Sequence, residues 1–564
     1  MQAMETRQDG PEFRPTPPSQ RLPVPARRLP VYRCDVLVVG SGVAGLCAAL
    51  SAADEGAHVM VLSKSALEDG NTRYAQGGIA AAIGSDDRPE FHAGDTLAVG
   101  CGLADPGVVE AVTSGAPEAI QWLLRAGMQF DRSPEGGLSL GREGGHRVAR
   151  ILHHGTATGL ELQRVLSSLA RAHGRVDLYE RVTAVDLLHD AEGRIGGLLA
   201  LDVHGRPEAV LFEADVVILA TGGAGQIYRE TTNPQLASGD GIAMALRAGA
   251  ALADLEFVQF HPTILYLAGA ARFLISEVVR GAGAVLRDRT GAAFMAEYHP
   301  DRELAPRDVV SRAIFRRMVQ TGDTHVYLDF SAVADAAARF PALARITREF
   351  GIDIRKDPIP VRPAVHYFVG GVLADLEGRS SQEGLWAAGE CASTGFHGAN
   401  RLGSNSLLEG LVHGRMVGRA AAGSLGGGTR RRFLLPRPAP ARSAVGAELN
   451  LTDLVYSLKS LMWRQVGIER TAAGLSDALE RIGQWDSYLA RLGPFTPDGV
   501  EAVNMVQVAY LVARAALFRE ESRGTHFRTD YPHSDEAWRV HTRLHCDAGR
   551  LRLHTAPAVL EARA

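Results

Sequence analysis

The sequence predicts an α/β fold in which a Rossmann-like nucleotide-binding domain is interrupted by a second domain and followed by a C-terminal helical bundle. The run VVGSGVAG places a glycine turn directly after an apolar strand and directly before a helix-forming segment. Apolar runs at 36–39, 58–62 and 215–220 alternate with glycine turns and helix-length segments, which is typical of an open parallel sheet. Apolar residues at helical spacing over 450–519 predict the bundle.

Length and composition are those of a multidomain globular protein. The 564 residues are too many for one hydrophobic core and imply two or three domains, and the hydrophobic share of 46% allows a large cofactor to be buried. A net charge of −4 gives no global field that attracts nucleic acid. No run reaches the ~18 uninterrupted apolar residues of a membrane span, so none is expected.

The cysteines predict neither disulfides nor a metal site. Their number is odd, they are scattered, and no CxxC pair occurs. We therefore expect reduced thiols in a cytoplasmic protein. The five are Cys34, Cys47, Cys101, Cys391 and Cys546.

Changes in composition divide the chain. Residues 1–30 are rich in proline and arginine without hydrophobic periodicity, which predicts a disordered tail. The glycine-rich strand pattern stops near Asp254, gives way to helical patterns, and resumes at HYFVGGVLAD. The predicted segments are a tail (1–30), a nucleotide-binding domain (31–253 and 365–425), an inserted domain (254–364), a linker (426–441) and a helical domain (442–564).

The first glycine turn has the GxGxxG pattern of Gly40, Gly42 and Gly45. Such glycines permit a tight turn, close backbone approach to a pyrophosphate and close packing of the helix on the strand. A nicotinamide site expects an acidic residue at the end of the second strand, whereas this strand ends in Ser63 and Lys64. NAD is thereby disfavoured without being excluded, and a purely structural glycine turn stays open.

Two later strands strengthen the case for a long ligand. ADVVILATGG (214–223) ends in small residues, and LWAAGE (385–390) ends in Glu390, whose carboxylate can accept hydrogen bonds from ribose or ribityl hydroxyls. Three glycine-ended strands far apart in sequence suit one extended ligand better than a mononucleotide. We therefore predict FAD.

Further motifs carry a specific resemblance over about residues 35–535. They are NTRYAQGGIAAA (71–82), REGGH (142–146), ILHHGTATG (151–159), QFHPT (259–263), APRDVVSRA (305–313), HYFVGG (366–371) and HGANRLGSNSLLEG (397–410). In this order they resemble the L-aspartate oxidases, within the succinate dehydrogenase/fumarate reductase flavoprotein superfamily. The resemblance implies that the inserted segment is an α+β capping domain.

The resemblance also implies an activity. L-Aspartate would be oxidised to iminoaspartate by FAD, which O2 (giving H2O2) or fumarate then reoxidises, as the first step of NAD biosynthesis with a quinolinate synthase as a possible partner. A soluble fumarate reductase of the same superfamily is the alternative enzyme. A flavin-binding sensor or interaction module is the alternative without catalysis, and the oligomeric state is left open.

The family pattern assigns the cofactor contacts residue by residue. Relatives with covalent FAD carry histidine before the threonine that matches Thr72, whereas this chain has Asn71, so noncovalent FAD is expected. The implied FAD-binding residues are Gly40, Gly42, Gly45, Ser63, Lys64, Asn71, Thr72, Gln76, Gly77, Gly78, Thr221, Gly222, Asp240, Glu390, Ser404, Asn405, Ser406 and Leu407.

Two histidines and two arginines form the candidate catalytic set. His261, Arg307, His366 and Arg401 lie in glycine-rich or turn sequences, with Arg280 a possible fifth member, and convergent cations and donors suit a dicarboxylate. The alternatives are that the histidines are ordinary core or surface residues and that Arg401 is a solvated surface arginine. Arg307 matches the family's proton-transfer arginine, but guanidinium stays protonated, so we expect an electrostatic stabiliser and proton-relay member. Its alternative is a surface pair with Asp308.

Glu143 is the residue expected to distinguish an amino acid from a plain dicarboxylate. A carboxylate pairs with the ammonium of aspartate and repels succinate or fumarate; the alternative is an exposed loop acid. The implied substrate-binding residues are Gln259, Thr263, Ser276 and Glu277. Ser276 stands where some relatives carry threonine, and Ala282 where the usual pattern has glutamate.

Overall fold

The computed structural model describes residues 13, 15, 17–18, 29–267, 273–426, 433, 449–490, 496–547 and 550–558. Most of the predicted tail (1–30) and linker (426–441) therefore lies outside the described residues. Within the tail, Phe13 is buried and its ring stacks on Tyr510 with centroids 3.9 Å apart.

The strands have the following bounds. They are β1 (Val31–Val39), β2 (Val59–Leu62), β3 (Ile79–Ala80), β4 (Leu140–Gly141), β5 (Ile151–Leu152), β6 (Val176–Tyr179), β7 (Val182–His189), β8 (Ile195–Asp202), β9 (Glu208–Leu219), β10 (Leu252–Ala253), β11 (Val258–Leu265), β12 (Val285–Arg287), β13 (Val326–Asp329), β14 (Ile359–Phe368), β15 (Gly371–Leu373), β16 (Leu385–Ala387), β17 (Ala392–Ser393), β18 (Val540–Asp547) and β19 (Arg550–Pro557).

The helices have the following bounds. They are α1 (Val43–Asp54), α2 (Asn71–Tyr74), α3 (Pro89–Val99), α4 (Pro106–Arg125), α5 (Thr158–Ala172), α6 (Asp240–Arg247), α7 (Val278–Gly281), α8 (Arg307–Thr321), α9 (Ala336–Arg339), α10 (Pro341–Glu349), α11 (Asn405–Gly423), α12 (Leu451–Gln465), α13 (Ala472–Leu489) and α14 (Pro497–Phe518).

A seven-stranded sheet brings the glycine-ended strands together. Its order is β6-β2-β1-β9-β8-β7, with β16 paired to β9, and β1 runs parallel to both β2 and β9. Side chains of β1 alternate between two cores, with Val36 and Val38 on one side and Leu37 and Val39 on the other. The carboxyl ends of β1, β2, β9 and β16 share one edge, where open α/β sheets bind ligands. The predicted α/β class is confirmed.

The inserted segment folds around a sheet of its own. Strands β11-β14-β13-β12 form an antiparallel sheet, and with α7 to α10 they enclose a separate core that includes Leu286, Phe294, Ile314 and Leu328. We call β11 to β14 with α7 to α10 the cap. Its α+β composition agrees with the expectation, but β14 continues to Phe368 and so crosses the boundary predicted between residues 364 and 365.

The C-terminal region is only partly helical. Helices α12 to α14 pack together as predicted, but β18 and β19 form a hairpin, and β18 pairs with β10 of the first domain. The expectation of a helical domain over 442–564 is therefore wrong beyond α14, because alternation such as Leu551 and Leu553 favours a strand. In the described residues one helix, α14, is long and apolar enough to span a membrane, and 83% of its most apolar window is buried within the protein.

Helix α11 approaches α1 along three glycines, which we call the glycine stripe: Gly410, Gly414 and Gly418. A Cβ at Gly410 would lie 2.6 Å from a Val43 side-chain carbon. A Cβ at Gly414 or Gly418 would lie 2.7 or 2.2 Å from a carbonyl oxygen of α1. Because the two helices run side by side in the same direction, both begin at the ligand-binding edge, where helix dipoles favour anions.

Asp486 of α13 gives a pH-dependent stability prediction. Burial raises the pKa of this carboxyl to about 7, and Arg247 only partly opposes the shift. Because the folded-state pKa exceeds the ordinary 3.8, this group's contribution to stability rises as pH falls from about 7 towards 4. Asp486→Asn should therefore raise the free energy of unfolding by ~2 kcal/mol more at pH 8 than at pH 5.5, at ~1.4 kcal/mol per pH unit.

Urea denaturation at the two pH values measures this difference. Glu480→Gln, an exposed position on the same helix, is the matched control and should show no such pH dependence. An Asp486→Asn effect of equal size at both pH values would contradict the prediction.

Candidate active site

One long cavity joins the edge of the seven-stranded sheet to the cap. Its volume is about 670 Å³, within the range of small-molecule and cofactor sites. Residues from the first domain line one end and residues from α8, α10 and β14 line the other. The cofactor motifs and the substrate motifs of the sequence therefore face the same space.

The glycine turn after β1 forms one end of this cavity. Gly40 has φ +117°, and a Cβ there would lie 2.2 Å from the carbonyl oxygen of Ala220, so only glycine fits. Helix α1 begins at Val43, whose backbone N–H donates to Thr72 Oγ1 at 2.9 Å, and the positive end of the helix dipole at this turn suits an anionic pyrophosphate. Gly45 was predicted to contact FAD but does not line the cavity. A Cβ there would lie 2.0 Å from the Gly40 carbonyl oxygen, so Gly45 packs α1 onto the turn.

Asn71 and Glu390 contact each other in the cavity wall. Asn71 Nδ2 donates to Glu390 Oε2 at 2.8 Å, and the backbone N–H of Phe368 donates to Oε1 at 3.0 Å. Burial raises the pKa of Glu390. Asn71 Oδ1 is buried and has no hydrogen-bond partner among the described residues. An acceptor left open beside a cavity fits a hydroxyl- or NH-bearing cofactor such as FAD.

Lys64 ties the cavity wall to the C-terminal bundle. Its Nζ donates to Asp240 Oδ2 at 2.7 Å, to Glu501 Oε1 at 2.6 Å and to Ser238 Oγ at 2.6 Å. Both Lys64 and Asp240 line the cavity. Lys64 is thus held by two carboxylates, those of Asp240 and Glu501.

The structure places all but two of the predicted FAD contacts on the cavity. The lining positions are Gly40, Gly42, Ser63, Lys64, Asn71, Thr72, Gln76, Gly77, Gly78, Thr221, Gly222, Asp240, Glu390, Ser404, Ser406 and Leu407. Gly45 and Asn405 are the exceptions. Asn405 is fully buried, its Oδ1 lies 2.8 Å from His92 Nε2, and its Nδ2 donates to Thr96 Oγ1 at 3.0 Å. It anchors the first turn of α11 to α3.

Arg401 is a buried cation without an acidic partner. It is 3% exposed, Nε donates to Gln259 Oε1 at 3.2 Å, and Nη1 donates to Ser406 Oγ at 3.2 Å. Its guanidinium carbon lies 4.7 Å from the ring centroid of Tyr367. Among the described residues no carboxylate lies within 4 Å of it. Burial lowers the pKa of Arg401 to about 10, so it stays charged at neutral pH. A solvated surface arginine is ruled out.

His261 and His366 lie side by side in the same region. Their ring centroids are 5.5 Å apart and both line the cavity. Burial, together with the nearby positive charges of Arg307 and Arg401, holds the pKa of each imidazole well below its usual value. Both rings are therefore neutral at physiological pH, and they can donate hydrogen bonds without adding charge.

Arg307 is the first residue of α8 and is held between two carboxylates. Nε donates to Glu277 Oε2 at 2.7 Å, and Nη2 lies 3.8 Å from Glu143 Oε2. Burial lowers the pKa of Arg307, but these two carboxylates outweigh it and raise the pKa above the usual value. Asp308 pairs instead with Arg312 at 3.0 Å, so the surface-pair alternative for Arg307 is wrong.

Glu143 is buried rather than an exposed loop acid. It is 6% exposed, lines the cavity, and its Oε2 accepts a hydrogen bond from Ser404 Oγ at 2.9 Å. One carboxylate oxygen is therefore held by Ser404 and lies near Arg307. Glu143 thus places a buried carboxylate on the cavity wall beside the cation of Arg307.

The four predicted substrate contacts divide into two pairs. Ser276 and Glu277 line the cavity, whereas Gln259 and Thr263 do not. Gln259 Nε2 donates to the backbone oxygen of Arg401 at 2.8 Å, and Thr263 Oγ1 donates to the backbone of Ile275 at 2.9 Å. These two side chains therefore hold backbone next to the cavity lining in place and do not reach the cavity themselves.

Arg280 and Ala282 lie outside the cavity lining. Arg280 is buried, with Nη2 3.5 Å from Glu277 Oε1, and Nη1 donates to the backbone of Glu303. Glu277 thus has two arginine partners, Arg307 on the cavity side and Arg280 on the side away from the cavity. Ala282 ends α7.

Several lining residues were not predicted. Thr232 and Tyr367 contact the predicted histidine and arginine, and Phe273, Ile346 and Phe350 bring apolar surface from the cap. The turn sequence TTNP and the position of Tyr367 next to His366 were signals for the first two. No pattern pointed to the cap residues, since they reach the cavity only through the tertiary fold.

Comparisons with known proteins agree with this geometry. Residues 35–407 match the FAD binding domain family, and residues 456–563 match the fumarate reductase flavoprotein C-terminal family. The L-aspartate oxidase of Streptomyces coelicolor is 44% identical, with 92% of this chain and 93% of that protein covered. The L-aspartate oxidase of Mycobacterium tuberculosis is 45% identical, with 89% and 94% covered.

The chain belongs to the L-aspartate oxidase family.

Solved structures place this L-aspartate oxidase family member in the predicted superfamily. An E. coli quinol fumarate reductase chain superposes with a TM-score of 0.86 at 29% identity, covering 95% of this chain and 98% of that one. The apo Sdh1 complex of Mycobacterium smegmatis gives a TM-score of 0.81 at 33% identity, covering 95% and 96%. The chain is therefore an FAD-dependent flavoprotein, as predicted.

Attachment of FAD to this L-aspartate oxidase family member is expected to be noncovalent. The amide of Asn71 is not a nucleophile, and its Nδ2 is already bound to Glu390. Acid precipitation of the purified holoprotein should leave the flavin absorbance in the supernatant. Colour that stays in the washed pellet would contradict this prediction.

Proposed function

We propose that this chain is an FAD-dependent oxidase that converts L-aspartate to iminoaspartate with O2 or fumarate as electron acceptor. The observation that carries the proposal is the buried carboxylate of Glu143 beside the cations of the cavity. A plain dicarboxylate gains nothing from such a group, whereas an amino acid has an ammonium for it. The relatives that match about nine-tenths of the chain are named L-aspartate oxidases, which supports the same substrate.

The charged groups of the site are arranged for an amino acid. Arg401 is a buried cation with no carboxylate within 4 Å among the described residues, whereas Arg307 lies between the carboxylates of Glu277 and Glu143. A substrate carboxylate would therefore find an unpaired cation at Arg401, and a substrate ammonium would find a carboxylate at Glu143. Succinate or fumarate has no ammonium and would bring a carboxylate towards that of Glu143, which is unfavourable.

Each side chain has a role that its contacts support. Arg401, oriented by Gln259 and Ser406, would bind one substrate carboxylate with its planar fork. His261 and His366 would donate hydrogen bonds to a carboxylate without adding charge. Bound FAD would supply the redox chemistry by accepting a hydride from Cα.

Arg307 and Glu143 act on the other groups of the substrate. Arg307 is a fixed positive charge, since two carboxylates hold its proton. Glu143, with Oε2 bound by Ser404, would accept a hydrogen bond from the substrate ammonium. Apolar cap side chains such as Phe273 and Phe350 line the cavity and would exclude water.

Anaerobic titration of the holoprotein tests this function. L-Aspartate should bleach the visible absorbance of bound flavin, whereas succinate at the same concentration should not. Bleaching by succinate without bleaching by L-aspartate would favour the fumarate reductase alternative, towards which the superposed reductase structure also points. The choice between O2 and fumarate, a following quinolinate synthase and a cytoplasmic location stay predictions of the family resemblance.

A further inference from the structure

Thr232 contacts the ring of His366 at the cavity wall. Its Oγ1 lies 2.9 Å from His366 Nδ1 and 3.3 Å from the backbone oxygen of Val365. The hydroxyl has one proton and can give it to only one of these acceptors. Which acceptor receives it decides which nitrogen of His366 carries the hydrogen.

The backbone oxygen of Val365 is already occupied. It accepts from the Thr232 backbone N–H at 2.9 Å and from Thr231 Oγ1 at 3.2 Å. Two donors use the two lone pairs of a carbonyl oxygen. The hydroxyl proton of Thr232 is therefore directed to the shorter contact, His366 Nδ1, which must be an unprotonated acceptor.

The position of the ring hydrogen on His261 can be assigned in the same way. The backbone N–H of Thr263 donates to His261 Nδ1 at 3.3 Å, and a backbone N–H can only donate. Both rings are neutral, so the hydrogen of each lies on Nε2. Within the described part of the chain, neither Nε2 has a hydrogen-bond partner, and both side chains line the cavity.

We propose that Thr232 is a positioning residue that holds His366 in the Nε2–H form, so that this ring donates to a substrate carboxylate. The proposal rests on the proposed function for the identity of the substrate. Thr232 acts through His366. A His366 with hydrogen on Nδ1 would instead present a lone pair to a carboxylate, which repels it.

Two variants separate the hydroxyl from the shape of the side chain. Thr232→Val removes the hydroxyl at nearly constant volume, and Thr232→Ser keeps it. Because kcat/KM scales with the fraction of His366 in the Nε2–H form, Thr232→Val should lower kcat/KM for L-aspartate by ~3-fold or more, in step with that fraction and chiefly through KM. Thr232→Ser should stay within ~2-fold of wild type. Thr347→Val is the control, because it removes a buried hydroxyl bound to the backbone of Leu343 in the cap.

The tautomer itself is read by nitrogen NMR of the FAD-loaded protein with labelled histidine. The signal of His366 is assigned by its loss in His366→Gln. Wild type and Thr232→Ser should show hydrogen on Nε2, and Thr232→Val should show a mixture of both forms.

Three results would overturn the proposal: hydrogen on Nδ1 of His366 in wild type, a Thr232→Ser variant as impaired as Thr232→Val, or Thr232→Val with an unchanged spectrum and normal kinetics. The wild-type spectrum tests the proposal even if a variant fails to fold. Absence of L-aspartate turnover in wild type would refute the proposed function separately, since the tautomer is measured without substrate.

Discussion

Arg401→Leu is expected to lower kcat/KM for L-aspartate by at least ~100-fold. Arg401 is buried, has no carboxylate within 4 Å in the described chain, and is oriented by Gln259 and Ser406. A substrate carboxylate entering this region of the cavity would find no cation at that point in the variant. Removing one partner of a buried ion pair costs ~3–5 kcal/mol, which corresponds to at least two orders of magnitude.

Steady-state kinetics and flavin content measure this effect together. FAD content should remain normal, because Ser406, the predicted FAD contact that Arg401 hydrogen-bonds, stays in place. Arg419→Leu, at an exposed position of α11, should leave kinetics unchanged. Near-normal turnover of L-aspartate by Arg401→Leu would show that another residue binds the carboxylate.

Glu143→Gln is expected to change substrate selectivity. The substitution keeps the shape and the contact with Ser404 but removes the charge that faces an ammonium. The loss of a charged hydrogen bond, ~1.5–3 kcal/mol, should lower kcat/KM for L-aspartate by ~10- to 100-fold. Fumarate reduction should hold or improve, because a repulsive charge is gone while Arg401 and both histidines stay.

The measurement is a pair of kcat/KM ratios, variant over wild type, for L-aspartate oxidation and fumarate reduction in the same buffer at saturating FAD. Glu135→Gln, at an exposed loop position nearby in sequence, is the matched control. Equal falls in both ratios would mean that Glu143 supports the fold or FAD binding. No change in either ratio would remove it from the site.

The strand-and-glycine part of the fold was predictable because it depends on local pattern. Gly40 follows an apolar strand and precedes a helix, and close packing on Ala220 leaves no room for a side chain. Local alternation in β19 favoured a strand, but the partner of β18 in the first domain, β10, lies nearly 300 residues earlier in the chain. A local pattern does not reveal such a partner.

In the candidate site, too, some positions follow from local sequence pattern and others depend on the tertiary fold. His261 lies on the cavity, and its neighbours Gln259 and Thr263 in β11 would share its face in a regular strand. The pairing of β11 with β14 is irregular between Gln259 and Phe260 and again between His261 and Ile264. These bulges rotate the flanking side chains away from the cavity. Sequence spacing alone does not locate bulges.

The glycine stripe has a practical consequence for engineering. Because α1 and α11 touch backbone to backbone, a side chain at Gly414 or Gly418 would push apart two helices whose first turns line the cavity. Mutagenesis libraries that seek new amino-acid substrates should keep these positions constant. Diversity is better placed at cap positions such as Phe273 and Ile346, which line the same cavity and are not part of that helix pair.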